Sequence, residues 1–71
     1  SHDIDDQLTA DAITILLKEL PLLERAAVFY RNGMDLPMQE VARRMHVSRS
    51  TATYHLQQAY THLRDIIVEN Q

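Results

Sequence analysis

The sequence contains no cysteine, only one glycine and only two prolines. Without cysteine the chain has neither disulfide bridges nor thiolate zinc sites, so packed helices must supply its stability. One glycine is too few for the tight turns of a β-rich fold. No apolar run approaches the roughly 20 residues of a membrane span, and no signal-peptide pattern opens the chain. We therefore expect an all-α protein without a membrane segment, in the cytoplasm.

The length of 71 residues allows one small domain with one hydrophobic core. The chain begins with Ser1 and His2 rather than Met, and we interpret these two residues as the remnant of a cleaved tag. Residues 1–8 are acidic, and we expect this N-terminal segment to be frayed. The folded domain is predicted to cover residues 9–71.

The net charge of −3 is distributed unevenly along the chain. Residues 1–40 carry a net charge of −5, residues 41–64 carry +4 without any acidic side chain, and residues 65–71 carry −2. A cationic segment within an acidic protein can still meet phosphate groups, while the acidic remainder limits unspecific attachment to DNA. The alternative interpretation is a solvated helix face on which arginines cluster by chance.

Apolar residues recur at three- and four-residue steps in the first half, which predicts two helices. The first is expected at residues 9–19, capped by Thr9, and the second at residues 21–32, with Gly33 as a left-handed cap. The residues expected to face the core are Ala12, Ile13, Leu16, Leu17 and Leu20 in the first helix, and Leu22, Leu23, Ala26, Ala27, Phe29 and Tyr30 in the second.

Two further helices are predicted in the second half, at residues 37–45 and 49–68, with Ser48 as N-cap of the last one. The inward face of the last helix is expected to consist of Ala52, Leu56, Ala59, Tyr60, Leu63 and Ile67.

The last two helices are expected to cross steeply around their three-residue turn. Ala42 is the small residue that lets the two backbones approach, and Ala52 faces it from the last helix. The wedge between the helices would then be filled by Val41, Met45, Val47, Ala52 and Leu56. The first turns of the last helix stay exposed in this arrangement, which suits insertion into the major groove of DNA.

This stretch resembles the helix-turn-helix of region 4 of sigma-70-type sigma factors. The resemblance is carried by Glu40-Val41-Ala42, Val47-Ser48-Arg49-Ser50-Thr51, Leu56, Ala59 and Leu63-Arg64. Upstream, Leu20-Pro21-Leu22-Leu23-Glu24-Arg25 is similar to the L-P-x-x-x-R with which the preceding helix of that family opens. The similarity covers residues 9–68, nearly the whole chain. It implies a four-helix domain that binds double-stranded DNA in transcription initiation or its regulation.

Two positions depart from the pattern of that family. His46 stands at the turn position where the family most often has glycine, so His46 must accept a positive φ. Pro37 replaces the usual Ser or Thr cap of the third helix, so the cap is either supplied by Asp35 or missing.

The resemblance also implies roles for single residues. Base edges or phosphates would be contacted by the first turns of the last helix and its cap, namely Ser48, Arg49, Ser50, Thr53, Tyr54 and Gln57. Arginine favours guanine and glutamine favours adenine, by the geometry of their paired hydrogen bonds. The DNA backbone would be held by Arg43, Arg44 and Arg64. The structural alternatives are that Arg44 is only solvated and that Tyr54 packs on the third helix.

Other functions are weighed against DNA binding. A LuxR-type effector domain is one alternative, although that family usually adds a dimerisation helix, and a stand-alone archaeal-type activator is a weaker one. A third is a protein-interaction module that keeps the fold but binds RNA polymerase or an anti-sigma partner. No nucleophile–base pair, glycine-rich phosphate loop or paired-carboxylate pattern is present, so we expect no enzyme.

The histidines are the residues that invite a metal-binding hypothesis. His55 and His62 lie seven residues apart on one helix face, about 10 Å from each other, which is too far for one metal ion. We therefore predict a solvated or DNA-facing role for them. No metal ion and no cofactor are expected.

Overall fold

The computed structural model describes residues 14–69. These residues form four helices and no strand: residues 14–18 (α1), Leu22–Val28 (α2), Met38–Met45 (α3) and Arg49–Glu69 (α4). The predicted all-α class with a long last helix is thereby confirmed. Several predictions concern residues outside the described part of the chain: those for Ser1 and His2, for the acidic segment 1–8, for the Thr9 cap, and for the core residues Ala12 and Ile13.

The corner between α1 and α2 is built by the motif that begins at Leu20. Pro21 has no N–H to donate and adopts φ −54° and ψ 154° directly before α2, so the chain changes direction there. Arg25 Nη2 donates to Leu20 O at 3.0 Å and closes the corner. Leu20 itself is buried. The arginine of this motif therefore has a structural role at the helix junction.

The end of the second helix differs from its prediction. The α-helix gives way after Val28 to a π-helical turn, Phe29–Gly33, in which Met34 N donates to Phe29 O at 2.9 Å. Gly33 does not adopt a positive φ, so its predicted role as a left-handed cap is wrong. The left-handed residue is instead Asp35, at φ 56°. Gly33 is suited to its position because a Cβ there would lie 3.3 Å from the Phe29 ring.

The core consists of two clusters of buried side chains. The first joins the α1–α2 corner, α2 and α4 through Leu20, Ala27, Val28, Leu56 and Ala59. The second lies where α3 meets α4 and contains Val41, Ala42 and Ala52. Met38 and Met45 pack against both clusters and so connect them. The position of α4 is thus determined by packing against both α2 and α3.

The predicted inward face of α2 is partly wrong. Leu22, Leu23 and Phe29 are 71%, 45% and 52% exposed, whereas Glu24, Ala27 and Val28 are buried. Apolar residues occur on almost every side of this segment, so periodicity alone does not select the side that α4 covers. On α4, the expected core residues Ala52, Leu56 and Ala59 are buried and Leu63 is half-buried. Tyr60 and Ile67 are exposed, contrary to the prediction.

Candidate nucleic-acid interface

The turn between α3 and α4 has the predicted left-handed residue. His46 adopts φ 59° and ψ 40°, and its N–H donates to Arg43 O at 3.2 Å. Val47 N donates to Ala42 O at 3.1 Å, so the last carbonyl groups of α3 are satisfied by the turn. The turn joins α3 to α4, which pack against each other at Val41, Ala42 and Ala52.

Small side chains lie where the two helices cross, as predicted. Ala42 is 5% exposed, and Ala52 and Val41 are fully buried. Met45 and Val47 are half-buried beside them. At the start of α3, Pro37 occupies the N-cap position without a side-chain hydrogen bond, so Asp35 does not take over the capping. The helix-turn-helix is held by its central wedge rather than by the entrance of α3.

The start of α4 is capped by Ser48, as its sequence position predicts. Ser48 Oγ accepts a hydrogen bond from Thr51 N at 3.1 Å and lies 2.8 Å from Thr51 Oγ1. Ser50 Oγ lies 3.2 Å from Ser48 Oγ. Because the Ser48 hydroxyl already completes the helix terminus, a phosphate could engage it only in competition with the cap.

Beyond the cap, the first turns of α4 present a polar face. Arg49, Ser50, Tyr54 and Gln57 are exposed and Thr53 is half-buried. At 3.6 residues per turn these five positions fall within an arc of about 140° around the helix. Tyr54 is 53% exposed, and its ring meets the ring of His55 edge-on at 5.6 Å. The structure thus brings these predicted site residues together on one face.

Arg64 is exposed but lies apart from this face along the helix axis. The fifteen residues from Arg49 to Arg64 correspond to about 22 Å of helix, at about 1.5 Å per residue. A major groove is about 12 Å wide. Arg64 is therefore separated from Arg49 by more than the width of one groove, and its contact with the DNA backbone stays a prediction.

Arg43 and Arg44 are not free cations, because Glu40 binds both of them. Arg43 Nε donates to Glu40 Oε2 at 2.9 Å and Arg43 Nη2 donates to Oε1. Arg44 Nε donates to the same Oε1 at 3.1 Å. Hydrogen bonds from Arg43 and then from Arg44 lower the pKa of Glu40 from its usual 4.5 to about 2, and the carboxylate raises the pKa of Arg43.

This group of three residues, Glu40, Arg43 and Arg44, is called the Glu40 triad below. It was not predicted from the sequence, because the cationic segment begins at residue 41 and so excludes Glu40. Glu40 lies three residues before Arg43 and four before Arg44, and these are the spacings at which side chains meet on a helix. The spacing in the sequence therefore already indicated that Glu40 could pair with both arginines. Arg44 has a further neighbour in Tyr30, whose ring centroid lies 5.9 Å from the guanidinium carbon. Contrary to the alternative considered above, Arg44 is held by two groups and is not merely solvated.

A side-chain hydrogen bond joins α2 to α4, between Glu24 and His62. Glu24 is 7% exposed, and His62 Nδ1 donates to its Oε1 at 2.5 Å. The side chain of His62 is 46% exposed, so the predicted solvated position is compatible with the structure, and the contact with Glu24 is an addition to it. A signal for Glu24 existed, because it follows Leu20 by four residues and precedes Ala27 by three, on the buried face. Its partner lies 38 residues away, and no sequence spacing indicates it.

A groove of about 430 Å³ lies between α1 and α2. Apolar side chains line it, with the cations Lys18 and Arg25 at its border: Thr14, Leu17, Lys18, Leu22, Arg25, Ala26, Phe29 and Tyr30. The exposed residues Leu22 and Phe29 belong to it, so their side chains form one apolar surface rather than scattered exposed residues.

Among the described residues, no three His, Asp or Glu side chains come close enough to hold a metal ion. Within the same part of the chain, no helix is both long enough and apolar enough to cross a membrane.

The sequence matches the family model for sigma-70, region 4, over residues 10–63, which is more than half of the chain. A comparison with curated proteins finds no match, and a comparison with solved structures finds none either.

Proposed function

Because the chain belongs to the sigma-70 region 4 family, we propose that residues 9–71 form a sequence-specific double-stranded DNA-binding domain of transcription initiation or its regulation. The first turns of α4 would enter the major groove and read an upstream promoter element. The observation that carries this proposal is the exposed face of Arg49, Ser50, Tyr54 and Gln57 at the end of a helix that is otherwise held by the core.

The geometry supports this assignment in two ways. The α3–α4 wedge is closed by small buried residues, so the recognition face is carried on rigid elements. No acidic side chain lies on α4 before Asp65, so the face that would approach the phosphates is free of like charges. In this proposal Arg49 would contact bases, whereas Arg43, Arg44 and the more distant Arg64 would hold the backbone.

The test compares Arg49→Ala with Arg43→Ala on one selected site and one scrambled duplex, at two salt concentrations, by fluorescence anisotropy. Arg49→Ala should weaken binding to the selected site by about 1–3 kcal/mol and relax the preference between the duplexes. Arg43→Ala should weaken binding to both duplexes by a similar factor. It should also make the dependence of log affinity on log salt concentration less steep, by at most about one unit. If Arg49→Ala lowers both affinities equally, Arg49 is a phosphate anchor and the assigned recognition face is wrong.

A second function is favoured by a separate observation, the apolar groove between α1 and α2. We propose that this face binds a protein partner, RNA polymerase or an anti-sigma protein, through a helix with apolar and acidic residues. The apolar lining would receive the apolar side chains, and Lys18 and Arg25 at the border would attract the acidic ones.

The two functions use different surfaces and can be separated by mutation. Leu22→Ala and Phe29→Ala should weaken capture of core RNA polymerase while leaving the affinity for duplex DNA unchanged. Arg49→Ala should do the opposite. Loss of both activities in one exposed-residue variant that remains folded by circular dichroism would refute the assignment of two separate surfaces.

A further inference from the structure

Glu40 is the only carboxylate with a described ion pair to the arginines that flank the recognition face. It takes the Nε and Nη2 donors of Arg43 and the Nε donor of Arg44. Both guanidinium groups keep their remaining N–H donors, since each carries five. A DNA phosphate can therefore still bind to the triad, but it must approach two cations that already share a carboxylate.

We propose that Glu40 limits the affinity of this domain for DNA of any sequence, because it reduces the positive charge offered to DNA phosphates at the end of α3. This inference rests on the proposed DNA-binding function. Two guanidinium groups and one carboxylate leave a net charge of one instead of two. The sequence-independent attraction to DNA is reduced accordingly, while the base contacts of α4 are untouched. Removing the Glu40 charge should therefore strengthen binding to a selected and to a scrambled duplex by a similar factor.

Glu40 reduces the positive charge of the triad at every physiological pH. The arginine hydrogen bonds hold the pKa of Glu40 at about 2, so its carboxylate is ionised throughout the physiological range. Arg44 is additionally held over the ring of Tyr30, which keeps its guanidinium group beside Glu40 instead of extended toward solvent. The side chain of Arg44 is 38% exposed and that of Arg43 is 69% exposed, so the triad remains accessible to a phosphate.

The test is Glu40→Gln, with Glu19→Gln as the matched control. Both substitutions remove one negative charge, but Glu19 lies at the end of α1, outside the triad. Binding to a selected site and to a scrambled duplex is measured against salt concentration, and folding is checked by thermal unfolding. Glu40→Gln should steepen the salt slope by about 0.9 and strengthen binding to both duplexes, on the order of tenfold at 0.1 M salt. Glu19→Gln should change either quantity much less.

The outcomes separate this inference from the proposed function. If wild type binds the selected site but Glu40→Gln has the same salt slope or binds the scrambled duplex less well, Glu40 positions the arginines and the inference is wrong. If both glutamine variants gain equally, the effect is one of net charge and the inference is again wrong. If wild type binds no duplex at low salt, the proposed function fails and the inference fails with it.

Discussion

The crossing of α3 and α4 can be tested by enlarging one buried side chain. Ala52 is fully buried and lies in the same cluster as Val41 and Ala42, which are 0% and 5% exposed. The three additional carbon atoms of a leucine at this position have no direct path to solvent. Ala52→Leu must therefore push α3 and α4 apart or force a strained side-chain conformation.

The expected magnitude follows from the packing and from the size of the domain. Overpacking a filled core costs about 1–3 kcal/mol. A domain of this length has a total stability of about 4–10 kcal/mol, and each kcal/mol shifts its Tm by about 4–8 °C. Ala52→Leu should thus lower the Tm by about 4–24 °C and remove an appreciable part of the folding free energy.

The assay is thermal unfolding followed by far-UV circular dichroism, with Ala26→Leu as the control. Ala26 is only half-buried and borders the open groove, so the same three carbon atoms find space there. Its Tm should stay within about 4 °C of wild type, which corresponds to about 0.5 kcal/mol. Equal shifts for the two variants would refute the argument that the crossing is filled.

Three further changes test other parts of the structure. His62→Ala removes the partner of the buried Glu24 carboxylate and should cost about 1–3 kcal/mol in urea unfolding; no change would show that water replaces the imidazole. His46→Gly relieves a positive φ and should stabilise the domain by about 0.5–1 kcal/mol, whereas destabilisation would mean that the imidazole makes a needed contact. The lowered pKa of Glu40 stabilises the fold fully above pH 4.5, and this contribution is lost as the pH falls toward 2. The Tm of wild type should therefore fall more steeply in that pH range than that of Glu40→Gln, and parallel curves would contradict the triad.

Local signals predicted the helix-turn-helix well. The Ser48 cap, the left-handed His46 and the small residues Ala42 and Ala52 each depend on a requirement of the backbone within a few residues. Such requirements are readable from sequence because only a few residue types satisfy them. The end of α2 was less predictable, because a glycine signals a break but does not choose between a left-handed cap and a π-helical turn.

Tertiary contacts explain the remaining errors. Leu22 and Phe29 are exposed because α4 covers the side of α2 that carries Ala27, and the sequence of α2 is apolar enough to allow either orientation. The pairing of Glu24 with His62 depends on how α2 and α4 align, which no local spacing encodes. The Glu40 triad is different, since its helical spacing was visible and only the boundary drawn for the cationic segment concealed it.

The central claim is that duplex DNA binds to the start of α4 and the adjoining end of α3. The most direct measurement is a titration of the ¹⁵N-labelled protein with a promoter-like duplex at low salt, followed by amide chemical shifts. The largest shifts should fall between His46 and Gln57, with smaller ones at Arg43 and Arg44, and the groove residues Leu17 to Phe29 should be unaffected. Shifts confined to the groove, or none at all with any duplex, would contradict the assignment of this domain as a DNA-binding module.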